Sequence, residues 1–492
     1  MPRLTQSKIH SDFSTGSATW SEYRAQVIAF YDNHPHSELN DHITREFNKK
    51  ITNLSQAESL YISPYNAGLR YIGDGVFTVD PLSFNPYFYI DAASSMLGVL
   101  ESPSLDLNPA VSSTLDIITA TRAGTATYTD ASGNIQTASP NTVRVDHVDG
   151  VPMILVEPAA TNLVVNSEDF NGVGWNYSAD ALETESNSIL SPMGIQTADK
   201  ISKTTTRSYA YAFRNQTVTS GQAYTWSVFM KKGTHDLGLL SLEQGDTPYK
   251  AFYDLTDGTS GMITGSATTS IEDVGNGWFR CSLRGISSTS DVSVRFVFGM
   301  SYSTTHENWP SASQGDGLYV YIWGAQLEEG TIATSYIPTS GSAVTRAADE
   351  LVIDGSDFTN FFNNSEGTIY CEFEYDFEPA YEYIYNIQQD GNNEIRNQFA
   401  TSSNVRTRYV VAGVSEGQTS VSGAIQGSLN RSAYSYKTNN FRSSVNGSTE
   451  VEDLTGTASV SPIKLQIGGR EGVISNIKFK RLIYWPHHSD NI

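Results

Sequence analysis

Cysteine is scarce in this chain of 492 residues: there are two, Cys281 and Cys371. Two thiols cannot build a disulfide framework, and no CxxC spacing offers a zinc site. Both sit in strand-like patterns, WFRCSLRG and TIYCEFEYDF, where a reduced, buried thiol is the ordinary state. The nine histidines form no HExxH or related spacing. Charge is also thin, at 17% of residues, against about 25% in ordinary globular chains. Its basic share is smaller still: 31 Lys and Arg face 53 Asp and Glu, a net charge of −22. A phosphate backbone needs a basic footprint, so nucleic acid is not an expected partner. No apolar run reaches the roughly 18 residues of a membrane span. The opening MPRLTQSKIHSDFSTG lacks the apolar core of a secretory leader, so assembly in a cytoplasm is expected.

Glycine and aromatic residues take up the room: 39 Gly, 27 Tyr and 11% aromatics overall. Aromatics favour strands and glycines favour turns, and this much aromatic surface supports packed cores rather than disorder. The length suggests three or four domains at about 150 residues each.

Residues 1–60 differ from the rest. Trp20, Tyr23, Val27, Ile28 and Tyr31 recur at helical spacing, Pro35 ends that stripe, and Leu39, Ile43, Phe47 and Ile51 form a second one. Short amphipathic helices need a partner surface, either the next domain or a larger assembly. Residues 61–160 read as an irregular β-rich connecting region. Within it ATYTD and IQTA flank a turn from Asp130 to Asn134, and MILVE is a short buried strand. Residues 161–345 alternate at period two in AYTWSVFMKKG, LGLLSLE, WFRCSLRGI, VSVRFVFGM and LYVYIWGAQLEEG, the pattern of a β-sandwich. Residues 346–492 repeat that texture, with Asn446-Gly447 as a hairpin turn. The expected fold is all-β: tandem β-sandwich (jelly-roll) domains behind a short α-helical N-terminal segment.

Two stretches carry a family likeness. TATRAGTATYTDASGNIQTA with ILVEPAATNLVVNSEDF, and GNGWFRCSL with YIWGAQLEEGTIATSYIPTSGSAVTRAAD, resemble segments of bacteriophage virion proteins. The middle block resembles the carbohydrate-binding-module-like jelly roll of phage tail and fibre proteins. The last block is similar to concanavalin A-like or laminin-G-like domains. The resemblance spans about 119–492 and implies a structural virion component, a tail fibre or receptor-binding protein contacting host glycans. A capsid decoration or head-fibre protein, or a glycan depolymerase, are the alternatives. It further implies attachment to other virion proteins through residues 1–60, homo-oligomers on a symmetric platform, and residence in the virion after assembly in the host cytoplasm. Modules of this kind often hold a structural calcium, for which Glu168, Asp169 and Glu328 are the candidate oxygens.

For chemistry, the neighbouring acids Glu168-Asp169, Glu328-Glu329 and Glu452-Asp453 would point to opposite faces of a strand, so they are poorly placed as a catalytic pair. GVSEG, 413–417, matches GxSxG, which works only as a strand-to-helix turn, and no amphipathic helix follows it. No catalytic residue is therefore expected, and the protein is read as a non-enzyme. Glycan binding needs an aromatic platform with polar neighbours. Trp309, in the polar loop HENWPSASQGDG, is the leading candidate, followed by Tyr249 and by Trp175, for which core packing at the sandwich end is the favoured reading. Trp226, Trp278 and Trp323 lie within strands and read as core. Residues 391–482 hold eleven Lys/Arg and six Asp/Glu, 11 − 6 = +5, a hint of attraction to acidic glycans or an acidic neighbour.

Overall fold

The computed structural model describes residues 103–492 apart from 173, 178–181, 204–210, 245–246, 287–291, 302–303, 305–316, 377–381 and 491, together with four earlier strands. The expected N-terminal helices lie outside the described residues. Two compact units divide the chain, Met1–Pro103 and Ser104–Ile492. In the first, Leu69–Gly73 pairs with Val76–Val79 and Phe88–Asp91 with Met96–Val99, both antiparallel. No helix among the described residues is long and apolar enough to cross a membrane.

The second unit is almost entirely antiparallel sheet and holds two sandwiches. The middle one stacks a sheet ordered Asn176–Tyr177, Tyr211–Thr217, Ser293–Met300, Leu237–Gln244, Thr247–Asp254, Thr259–Thr264 on another ordered Leu182–Ile189, Ala198–Lys203, Tyr319–Glu329, Ala223–Lys232, Trp278–Ile286, Thr268–Asp273. Its core holds Trp226, Tyr253, Leu283, Phe296, Phe298 and Leu327. The strand AYTWSVFMKK is apolar on both faces because both are covered. Tyr224, Trp226, Val228 and Met230 face the sandwich core. Phe229 faces outward, into a second cluster with Trp278, Trp323, Tyr336 and Ile135. Ile135 comes from the hairpin Ala126–Thr129/Ile135–Ala138. Asp130 closes that turn by accepting the amides of Ser132 and Asn134 at 2.8 and 3.0 Å. The hairpin thus caps one outer face of the middle sandwich. Cys281 and Cys371 are free and buried.

The second sandwich is built from two distant parts of the chain. One sheet runs Val451–Asp453, Asn440–Val445, Asn430–Lys437, Glu366–Tyr375, Ile477–Trp485, Val151–Val156, Arg144–Val148. Leu105–Leu107 pairs with the far half of Ile477–Trp485. The facing sheet runs Val414–Ser422, Asn404–Val411, Asn393–Thr401, Tyr383–Asp390, Lys464–Ile467, Glu350–Asp354, Thr119–Thr121. The reading of 61–160 as a connecting region is therefore corrected from Leu105 onward: those short strands close the edges of both sheets. Without them the buried Leu482, Ile483 and Tyr484 would lie on an open edge. Their short alternation could not reveal partners some 300 residues further on.

The middle sandwich is thus an insertion, and its entry and exit pair as strands, Ala160↔Arg346, Thr161↔Thr345 and Asn162↔Val344. Buried charges lock this neck. Asp349 accepts from Arg122 at 2.8 Å and from Arg144. Arg144 also donates to Glu157 and the Ser335 hydroxyl, at 2.8 and 2.9 Å. Arg346 stands 3.5 Å from Glu157. Burial alone would raise the Glu157 carboxyl, but the charges of Arg346 and Arg144 and the hydrogen bonds from Ser335 outweigh it, holding the group well below the usual carboxylate range. Asn162 extends the joint, donating to the carbonyls of Ala325 and Ile337 at 3.0 and 2.9 Å and accepting from the amide of Val164. Apart from Arg144, these residues are polar letters of TATRAGTATYTDASGNIQTA, ILVEPAATNLVVNSEDF and YIWGAQLEEGTIATSYIPTSGSAVTRAAD.

Candidate functional site

With one outer face of the middle sandwich capped by the hairpin, the face of its other sheet becomes the candidate. Strand register puts three rows on that face. Tyr211, Gly299, Leu239, Phe252 and Gly261 form the first, Phe213, Val297, Ser241 and Lys250 the second, and Asn215, Arg295 and Glu243 the third. The alternate positions Ala212, Phe296, Phe298, Leu240, Leu242, Ala251 and Tyr253 enter the core, as period two requires.

Tyr211, Phe213 and Phe252 are each part-exposed. Phe252 lies across Gly261, where an added Cβ would come within 2.8 Å of the ring. The glycine leaves room for the ring to lie against the sheet. The Tyr211 and Phe213 centroids are 6.0 Å apart. Arg295 places its guanidinium carbon 4.6 Å from the Phe213 centroid, a cation–π distance. The same guanidinium reaches Glu243 at 3.3 Å and Asn215 at 3.5 Å. The Tyr211 and Phe213 planes are tilted by 47°, so each ring offers its own apolar surface for a sugar C–H face, with donors and acceptors for hydroxyls beside it.

None of these rings stood out in the sequence. YAFRNQT alternates Tyr211, Phe213 and Asn215, yet a strand with apolar residues on both faces does not say which face is open. The residues chosen from sequence lie elsewhere. Trp309 lies outside the described residues. Tyr249 shares the inner face with Ala251 and Tyr253 and packs against the core, opposite Phe252. Trp175 is corrected from platform to core. It is 7% exposed, with Phe170 stacked at 5.5 Å, the edges of Phe298 and Phe296 at 5.0 and 5.6 Å, and the Arg214 guanidinium at 5.4 Å. Trp226, Trp278 and Trp323 are buried.

The calcium candidates are engaged with protein groups. Glu328 is buried and accepts from the amide and hydroxyl of Thr334, at 3.0 and 2.6 Å, and from Gln326. Glu168 accepts from the Tyr336 hydroxyl and Asp169 from the amide of Asn171. Among the described residues no group of three or more His, Cys, Asp or Glu side chains is placed to hold a metal ion. Ser415 of GVSEG lies inside the strand Val414–Ser422, reached through a tight turn at Ala412 and Gly413 with φ of 49° and 81°. That is a hairpin, not a strand-to-helix elbow.

No family model matches the chain, and no curated protein matches it. Solved structures do. A carbohydrate-binding module, CBM40, of the Ruminococcus gnavus IT-sialidase bound to α2,3-sialyllactose matches at 14% identity, covering 26% of this chain and 79% of that one, with a TM-score of 0.23. The tandem CBM22 domains of Paenibacillus barcinonensis Xyn10C match at 10% identity over 67% of this chain and 98% of that one, TM-score 0.23. Trypanosoma rangeli sialidase in complex with sialic acid matches at 9% identity over 60% and 59%, TM-score 0.24. The β-sandwich assignment rests on the sheet order above and not on these distant likenesses. The expectation of a non-enzyme is corrected: sialidases stand beside binding modules among the similar structures, so the absence of a catalytic role is no longer maintained. At such TM-scores the likeness assigns no activity.

Proposed function

We propose that the protein is a glycan-contacting structural component of a tailed-phage particle, a tail fibre or receptor-binding protein acting as a homo-oligomer. The observation that carries the glycan reading is the set of part-exposed rings, Tyr211, Phe213 and Phe252, on the sheet face that also carries Arg295, Glu243 and Asn215. The virion placement is supported by the two strings at the neck and by the resemblance of both sandwiches to phage modules. Single sugar contacts of this size are weak, and a symmetric array of copies multiplies them.

The test is retention of host surface glycans by the full chain on an array, compared with Phe252→Ala. Truncating the ring removes a stacking contact of about 1 kcal/mol or more, so retention falls at least about fivefold with the thermal unfolding temperature little changed. Equal retention by the variant, or no retention of any host glycan by the parent, overturns the reading. Immunolabelling of intact particles with antibody to this chain then tests the tail placement: label at the tail tip is expected, and label over the head favours a decoration protein.

A further inference from the structure

A cleft of about 720 Å³ lies between the two sandwiches, within the compact unit Ser104–Ile492. That is the size of a small-ligand site. Tyr128 of the hairpin and the turn at Asp149 and Gly150 line one part of it. The edge strand Thr268–Asp273 lines another, and Glu374 and Lys478 of the second sandwich a third. Asp149, Gly150, Glu272 and Asp273 are exposed, so the cleft is open to solvent. Phe229, Arg280 and Tyr336 belong to the buried part of its lining.

Two observations point to a ligand. The first is Arg280, which is 8% exposed. Register sets it between Glu272 and Phe229 on the neighbouring strands, and its guanidinium carbon lies 5.3 Å from the Phe229 centroid. Its charge is answered within the protein by the buried Glu328. Its hydrogen bonding is not. A guanidinium carries five N–H donors, and one of them finds an acceptor: Nη2 donates to the Ser227 hydroxyl at 3.3 Å. Nε has no partner. A buried donor left unpaired is costly, and the cleft is the space beside Arg280 that oxygen atoms of a ligand can enter.

The second is an excess of carboxylate. The lining holds eight Asp or Glu side chains against Arg280 and Lys478. Some are engaged: Glu157 belongs to the neck and Asp130 closes its own turn. Lys478 is held by Asp146 at 2.8 Å, while Glu272 and Glu374 act on it from further off. Lys480, the other cation near Glu374, is held by Glu372 at 3.0 Å. The carboxylates of Asp149, Glu272 and Glu374 accept no hydrogen bond and form no ion pair with a described residue. Burial pushes the Glu374 carboxyl up, and Asp149 adds to this against the pull of Lys478 and Lys480. A cation in the cleft relieves that crowding of like charge.

We infer that this cleft binds an oligosaccharide bearing free amino groups: ammonium groups meet Asp149, Glu272 and Glu374, and hydroxyl oxygens accept from Arg280. The part-exposed Tyr128 supplies an aromatic surface beside them, which favours a sugar over a basic peptide. The surplus of carboxylate rejects acidic glycans. The class of ligand rests on the glycan reading above; the site does not, because Tyr211, Phe213 and Phe252 lie on the other sheet of the middle sandwich.

Calorimetric titration of the full chain with a glucosamine tetramer, and with its N-acetylated counterpart, tests it at about pH 6, where amino groups are charged. The parent binds the glucosamine tetramer, more weakly as salt rises, and binds the acetylated one at least about tenfold less tightly. Glu272→Gln and Glu374→Gln each weaken glucosamine binding by about fivefold. Arg280→Lys, which keeps the charge and loses the fork of donors, weakens it as well. Phe252→Ala leaves it unchanged. Glu272 is exposed, so its substitution spares the core, and unfolding curves check every variant. No binding of the glucosamine tetramer, equal affinity for the two tetramers, or parent-level affinity in both Glu variants overturns the inference. Tetralysine bound more tightly than the glucosamine tetramer overturns it in favour of a basic peptide. Loss of binding in Phe252→Ala overturns it by moving the amino sugar to the ring face. Retention of host glycans through Phe252 is read separately on the array, so the two readings fail independently.

Discussion

Asp349→Asn is expected to lower the unfolding free energy by about 3–5 kcal/mol, because it strands Arg122 and Arg144 without their shared carboxylate in a buried site. All three side chains are at most 2% exposed, so water cannot take over the missing partner. Urea unfolding of the parent and the variant at neutral pH measures it, with the slope against denaturant showing whether the transition stays two-state. Arg122→Met with Asp349→Leu is expected to lose less than Asp349→Asn alone, since removing both members leaves less uncompensated charge. A loss below about 1 kcal/mol in Asp349→Asn contradicts a locked neck. Acid acts on the same joint. Glu157 has a depressed folded-state pKa, so its contribution is complete above the unfolded value near 4 and is lost as pH falls towards the folded value.

Trp175→Ala is the second large effect, again about 3–5 kcal/mol. The ring fills the middle sandwich between Phe170, Trp226, Phe296 and Phe298, and removing it leaves a cavity that a rigid sheet pair closes only in part. Thermal unfolding followed by near-ultraviolet circular dichroism reads the loss. Glycan retention measured well below the transition is expected to stay at the parent level. Weakened retention with unchanged stability would return Trp175 to the role of a platform.

What the sequence made legible follows from local physics. Period-two alternation marks strands whatever they pair with, so the middle strands and the burial of Trp226, Trp278 and Trp323 could be read directly. Asn446-Gly447 adopts φ of 52° and 70°, as the hairpin dipeptide requires. What stayed hidden depends on partners far along the chain. Leu105–Leu107 pairs with residues 482–484, and nothing in three residues of strand specifies that. What packs on each ring was equally hidden: Phe229 and Phe252 look alike in their strands, but Ile135 of a hairpin joins the cluster around the first and a glycine lies against the second. The strings TATRAG and VTRAAD drew attention as a family likeness. Their physical content is the buried pairing of Arg122 and Arg346 with Asp349 and Glu157, which isolated charged letters in small-residue runs do not announce.

The most direct test of this architecture is the folding of a fragment comprising residues 346–492 alone, against a chain comprising 104–492. The fragment lacks Leu105–Leu107, Thr119–Thr121, Arg144–Val148 and Val151–Val156, which together cover the edges of Glu350–Asp354 and Ile477–Trp485. Calorimetry of the two is expected to show a cooperative transition in the longer chain and none in the fragment. A fragment that melts cooperatively within a few degrees of the longer chain would contradict a second sandwich assembled from both ends of an insertion.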